Sequence, residues 1–193
     1  MTPPADPAGP WKILGSEPLA STPHLALHEE RVATPTRPDG VNWFIVRRPP
    51  AAVVAPRLPD GRFVLIRQER PAVRLATWEF PAGQVEGDPT PGAFRETAIR
   101  ELREEAGLVC AGPLVALGAY YSSVGFTDER AEIFLASPCH ASPDGHAHDE
   151  HEAITATREV SPAELARMIA DGEIFDANTL CAFARMKALG LLP

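Results

Sequence analysis

The chain is poor in the features that mark several large classes of protein. Cysteine is scarce: Cys110, Cys139 and Cys181 are odd in number, widely spaced and never in a C-x-x-C pair. That argues against a disulfide framework and for a reducing compartment. No apolar run approaches the ~18–20 residues that a membrane span needs. The opening "MTPPADPAGPW" lacks the basic start and the apolar run of a signal peptide. The expected location is therefore cytoplasmic, with no membrane partner. Basic residues are outnumbered, 18 Lys and Arg against 26 Asp and Glu, for a net charge of −8. This excludes the basic stripe of a nucleic-acid binder. A small anionic ligand stays open, because a bound divalent metal inverts the local field. Internal repeats and low-complexity tracts are also absent.

What is present suits one sizeable core with a small appendage: 193 residues, 45% of them hydrophobic and 23% charged. The 21 prolines are about twice the usual share, and many lie in the first sixty residues and in loops, where they predict rigid turns and extended segments. Residues 1–10 read as a frayed leader. Residues 11–41 offer short extended pieces such as "HLALHEERVATP", with turn signals at Pro38-Asp39-Gly40, and predict a small antiparallel sheet. Residues 42–193 predict the main domain. In it "NWFIVRR", "AAVVAP" and "RFVLIRQ" read as strands, the last two as a hairpin across Leu-Pro-Asp-Gly. "LVALGAYY", "AEIFLA" and "AITATREV" read as later strands. Ser161-Pro162-Ala163-Glu164 starts one helix as a capping box and Gly172 stops it; Asp176 caps another that runs to Gly190. Strands flanked by helices predict an α/β sandwich.

The informative stretch is "FPAGQVEGDPTPGAFRETAIRELREEAGL", residues Phe80 to Leu108. Thr90-Pro91 is a strong helix start, and Gly107 a stop. Glu101 and Glu105 are four apart and project from one face, with Glu104 beside them. Like charges so placed repel, whereas a hard cation such as Mg²⁺ takes one or two carboxylates together with substrate phosphates and water. Arg100 and Arg103 could pair with and orient these acids. Taken alone, "RELREE" also suits a solvated helix face. The preceding Gly-containing loop and Gly107 favour the metal site.

Residues Gly83 to Leu108 resemble the Nudix box, the loop–helix–loop motif of hydrolases that cleave a nucleoside diphosphate linked to another moiety. The match from Arg100 to Leu108 is complete. Gly83 lies seventeen positions before Arg100, three more than the family spacing, so the loop around "EGDPTP" is lengthened. The family's leading Glu would fall on Gly92 or Pro89, and Glu86 or Asp88 could stand in for it. "WEFPAGQVEG", "YYSSVGFTDE" and "ADGEIFDANTLCAF" extend the resemblance to the ADP-ribose and nucleoside diphosphate sugar pyrophosphatase branch.

The resemblance implies a Nudix fold, an α/β/α sandwich with a mixed sheet, plus a small N-terminal antiparallel sheet that crosses to a partner in a homodimer. It implies Mg²⁺, or Mn²⁺ in its place, held by Glu101, Glu105, Glu104 (directly or through water) and the Ala82 carbonyl, with Arg100 orienting the acids. A late-loop acid, Glu152 or else Glu150, would hold or deprotonate the attacking water, with no covalent enzyme intermediate. Arg70 would meet the phosphates, Glu129 the terminal ribose, and Trp78 the base or the dimer interface. The implied substrate is ADP-ribose or a related nucleoside diphosphate sugar, with GDP-mannose or UDP-glucose as enzymatic alternatives. A nucleotide-sugar sensor without turnover is the non-catalytic alternative. His140, His146, His148 and His151 invite a zinc reading, but their spacing favours a solvated loop.

Overall fold

A computed structural model describes residues 11–146 and 153–192. The expected leader, residues 1–10, lies outside them. The chain divides into two compact units, one of residues 11–50 with 121–130, the other of residues 51–120 with 131–192.

The smaller unit is built on a three-stranded antiparallel sheet of β1 (Lys12–Thr22), β2 (Leu25–Thr34) and β3 (Arg37–Arg47), in that order. The expected boundary between residues 41 and 42 falls inside β3. "NWFIVRR" therefore completes this sheet, with Trp43 opposite Glu30 and Ile45 opposite His28. The turn joining β2 to β3 occupies residues 35–36, not Pro38-Asp39-Gly40. Gly40 sits within β3 at φ +82, where glycine is tolerated, and Arg31 donates to the adjacent Asp39 carbonyl at 2.6 and 3.0 Å. All eleven residues of β1 are exposed in the single chain.

Among the described residues the larger unit holds three sheets and three helices. One sheet has the order β7 (Ala82–Gln84), β4 (Ala51–Pro56), β10 (Arg130–Ala136), β9 (Val115–Tyr121). A second has the order β12 (Ile154–Val160), β5 (Phe63–Arg70), β6 (Leu75–Glu79), and β11 (Cys139–Ala141) pairs with β8 (Leu108–Cys110). Parallel pairing of β4 with β10, beside the antiparallel β4–β7, β5–β6, β5–β12 and β8–β11 ladders, makes the arrangement mixed.

Strand alternation divides the core. Val53, Ala55, Phe63, Leu65, Ile133 and Leu135 face one side, where α2 (Pro162–Ala170) and α3 (Ala177–Ala188) add Leu165, Met168 and Met186. Ala52, Val54, Val64, Ile66, Phe134 and Ala136 face the other, where α1 (Pro91–Glu104) adds Phe94, Ala98 and Leu102. These strands are apolar on both faces because helices cover both. The expected hairpin of "AAVVAP" and "RFVLIRQ" is corrected accordingly. Arg57, just past the end of β4, makes an isolated bridge with Phe63 of β5, and the two strands lie in different sheets.

Helix ends follow their punctuation. Thr90, Ser161 and Asp176 each accept a hydrogen bond from the backbone N–H three residues on. α3 ends at Ala188, with Gly190 at φ +69 just beyond.

Candidate active site

The C-terminal turn of α1 is an unfavourable place for acids. The helix dipole is negative there, yet Glu101 and Glu105 are 2% and 1% exposed. Burying a carboxylate without compensation costs several kcal/mol. Ala98 and Leu102 anchor the same stretch in the core, so the helix cannot roll to lift the acids into water.

Compensation comes from two directions. Arg100 reaches Glu101 Oε1 at 2.6 Å and Glu104 Oε2 at 2.9 Å. Burial alone would lower the Arg100 pKa, but Glu101, Glu104 and Glu86 together raise it. The Ala82 N–H donates to Glu105 Oε2 at 2.8 Å. The next residue, Gly83, presents bare backbone to Glu101: a Cβ there would lie 1.7 Å from Oε1. Both buried carboxylates thus converge on the Ala82–Gly83 segment of β7, which pairing with Ala52 and Val53 of β4 holds in place.

Arg70, at the end of β5, donates from Nε to both carboxylate oxygens of Glu79 at 2.9 and 3.2 Å and adds a shorter bond from Nη2. Glu79 is fully buried. The hydrogen bond to Glu79 raises the Arg70 pKa against the effect of burial, and Glu105 and Asp176 add attraction. Asp176 caps α3 through Oδ2, which accepts from the Thr179 N–H at 2.9 Å. Its Oδ1 is buried and has no hydrogen-bond partner among the described residues. Burial, then the charge of Glu79, push the Asp176 carboxyl up to about 6. Thr179 Oγ1 in turn accepts the Phe80 N–H at 2.8 Å, tying α3 to the segment that leads into β7.

The fate of each expected site residue is specific. Glu101, Glu105, Ala82 and Arg100 come together. Glu104 lies beside them, but its two oxygens face Arg100 and Arg103 at 2.9 and 3.0 Å, so here it balances the arginines. Arg70 is oriented by Glu79, with Glu105 near enough to bias it. Trp78 is half-buried on β6 against the α2–α3 core, with the Arg158 guanidinium 5.9 Å from its ring centroid. Glu129, in the smaller unit, pairs with Arg48 at 2.7 Å. Glu150 and Glu152 lie outside the described residues, as do His148 and His151. The segment just before them is docked on α1. The Ser142 N–H donates to the Gly107 carbonyl at 2.8 Å, and His146 Nδ1 donates to the Glu105 carbonyl at 3.2 Å.

Sequence reasoning missed Glu79, Asp176 and Thr179. A signal for Glu79 existed: it is the lone acid between Trp78 and Phe80 in an apolar strand. Asp176 was read only as a cap.

Among the described residues no group of three or more His, Cys, Asp or Glu side chains forms a ready metal cage. The donor set nevertheless fits Mg²⁺: it is oxygen-only, supplies two carboxylates, and borders backbone that a Cβ would obstruct. Mg²⁺ needs only one or two protein carboxylates when substrate phosphates and water complete its shell.

Comparison with known proteins bears on the family and the fold. Residues 47–183 match the model of the NUDIX domain. The chain is 30% identical over 171 residues to an ADP-ribose pyrophosphatase of Bacillus subtilis (strain 168), covering 89% of each. It is 29% identical over 182 residues to an ADP-ribose pyrophosphatase of Mycobacterium tuberculosis (strain ATCC 25618 / H37Rv), covering 93% of this chain and 84% of the other. A crystal structure of an ADP compounds hydrolase superposes with a TM-score of 0.74 at 19% identity, covering 93% of each chain, a likeness of fold.

Proposed function

The chain belongs to the Nudix family of pyrophosphohydrolases, and we propose that it hydrolyses the pyrophosphate bond of ADP-ribose, or a closely related nucleoside diphosphate sugar, in a Mg²⁺-dependent reaction. The products are a nucleoside monophosphate and a sugar phosphate. The observation that carries this reading is the convergence of buried Glu101 and Glu105 on the Ala82–Gly83 backbone.

Each group has a task. Glu101, Glu105 and the Ala82 carbonyl would hold a divalent ion, whose charge offsets that of the pyrophosphate and polarises its phosphoryl oxygens. Arg100 fixes the Glu101 carboxylate and limits its rotation. Arg70, presented by Glu79, offers its remaining donors to a phosphate oxygen in the bidentate manner that guanidinium favours. Glu152, or Glu150, holds the attacking water and accepts its proton. The docking of Ser142 and His146 on the end of α1 supports that assignment, because it starts the late loop beside Glu105. Trp78 and Glu129 are the proposed further contacts, toward the base or the dimer interface and toward the terminal ribose.

We further propose a homodimer formed through the smaller unit. Trp11, Ile13, Leu14, Leu19, Trp43 and Phe44 are all exposed in the single chain. A cavity of about 570 Å³ in the same unit is lined by Trp11, Trp43, Val124 and Phe126 among others. So much apolar surface on one small sheet fits coverage by a second copy. No helix among the described residues is long and apolar enough to cross a membrane.

The test is product release from ADP-ribose, ADP-glucose, GDP-mannose and UDP-glucose, with Mg²⁺ and with EDTA. EDTA-sensitive turnover of ADP-ribose supports the proposal. Preference for another sugar nucleotide would keep the chemistry and reject the substrate. Saturable binding without turnover in any metal would make the chain a sensor.

A further inference from the structure

Strands β8 and β11 place Cys110 directly opposite Cys139. The Cys139 N–H donates to the Arg57 carbonyl at 2.9 Å, and the Ala111 N–H donates to the Pro138 carbonyl at 3.0 Å. Cys110 and Cys139 therefore form a non-hydrogen-bonded antiparallel pair, the closer of the two kinds, with Cα atoms about 4.5 Å apart. Opposed residues in such a pair project to the same face. A disulfide requires Cα atoms at about 4.4–6.8 Å, so the backbone is already within range. Each thiol makes a weak bond to a carbonyl, Cys110 to Gly112 at 3.3 Å and Cys139 to Ala136 at 3.2 Å. Cys181 lies on α3 against the other core and is not placed to compete.

We propose that Cys110 and Cys139 are a redox-active dithiol, a modification site that hydrogen peroxide converts to an intrachain disulfide. Cys110 is the part-exposed partner and Cys139 the buried one. Burial, then the neighbouring Cys110, push the Cys139 thiol up to about 12, which leaves Cys110 as the sulfur that meets peroxide first. Attack of the Cys110 sulfur on peroxide breaks the O–O bond, gives a sulfenic acid and releases one water. The Cys139 sulfur then attacks the sulfenic sulfur, and its proton leaves with the departing hydroxyl as a second water. Both sulfurs are oxidised by one step, and the two peroxide oxygens are reduced. The bond would staple the joint where α1, through Gly107 and β8, meets the segment of Ser142 and His146.

The test uses the intact reduced protein, treated with peroxide, denatured and alkylated. The expected result is loss of two alkylatable thiols, a mass lower by two hydrogens, a cross-linked Cys110–Cys139 peptide, and full reversal by dithiothreitol. Cys181→Ser should cross-link like the wild type. Cys139→Ser should instead trap a dimedone-reactive sulfenic acid at Cys110. Retention of all three thiols, oxidation of Cys110 to sulfinic acid with Cys139 still free, or pairing with Cys181 or a second chain would overturn the proposal.

Discussion

Replacing Gly83 by alanine adds one methyl group and should disable the site without unfolding the protein. The new Cβ would lie 1.7 Å from Glu101 Oε1 and 2.4 Å from its Cδ. Ordinary contact at about 3.5 Å requires that oxygen to withdraw by roughly 1.8 Å. Gly83 has no positive φ, so the substitution tests space and not backbone strain. Glu101 cannot yield freely, because it is 2% exposed and held by Arg100 at 2.6 Å. Mg²⁺ accepts little deviation from oxygen distances of about 2.0–2.1 Å, and a misplacement of about 1 Å in a catalytic group costs on the order of 10²-fold in rate. The expected result is a fall of about 10²-fold in kcat/KM for ADP-ribose, with a rise in the Mg²⁺ concentration at half-maximal rate. A thermal melt should move by only a few degrees. Turnover and metal dependence equal to wild type in Gly83→Ala would refute the claim that Glu101 works from the position seen here.

Three other outcomes are expected. Glu105→Gln keeps the size of the side chain and the acceptor for the Ala82 N–H but removes the charge; turnover should drop about 10²–10³-fold, measured by phosphate-product release at saturating Mg²⁺. Asp176→Asn keeps the helix cap and removes a carboxyl whose folded pKa, about 6, lies above its usual value of 3.8. Such a group contributes stability that is complete below the unfolded pKa and is lost as pH rises through the folded one. The variant should therefore gain on wild type by up to about 3 kcal/mol between pH 4 and pH 7, read by urea unfolding; an equal difference at both pH values would count against the burial of Asp176. The intact chain should sediment as a dimer, and Ile13→Asp with Leu14→Asp on the exposed strand β1 should shift it to monomer; an unaffected dimer would place the interface elsewhere.

Helix ends were the most legible part of the structure, because capping is local. Thr90-Pro91, Ser161-Pro162 and Asp176 need only three residues to satisfy an exposed N–H, and each does so as expected. Strand partners were less legible. "AAVVAP" and "RFVLIRQ" look like two arms of a hairpin, and the turn between them does close, with the Gly61 N–H donating to the Leu58 carbonyl at 3.0 Å. Whether the strands stay paired depends on what covers each face, which no local pattern records. The three-residue strands β7, β8 and β11 are too short to show a period, yet β7 supplies the backbone of the site and β8 and β11 align the two cysteines.

The sequence by itself determined that this chain has one acidic helix with a Nudix spacing, because side chains at i and i+4 share a face whatever surrounds the helix. It also offered Arg100 and Arg103 as partners for these acids, and the structure pairs Arg100 with Glu101 and Glu104. Only the tertiary structure decided that Glu101 and Glu105 are buried while Glu104 is shared between two arginines. Only it brought Gly83, Glu79, Arg70 and Asp176 into the same neighbourhood. Those residues come from three strands in two different sheets and from the start of a distant helix. Their meeting follows from core packing on both faces of the sheets, a long-range property that residue spacing does not encode.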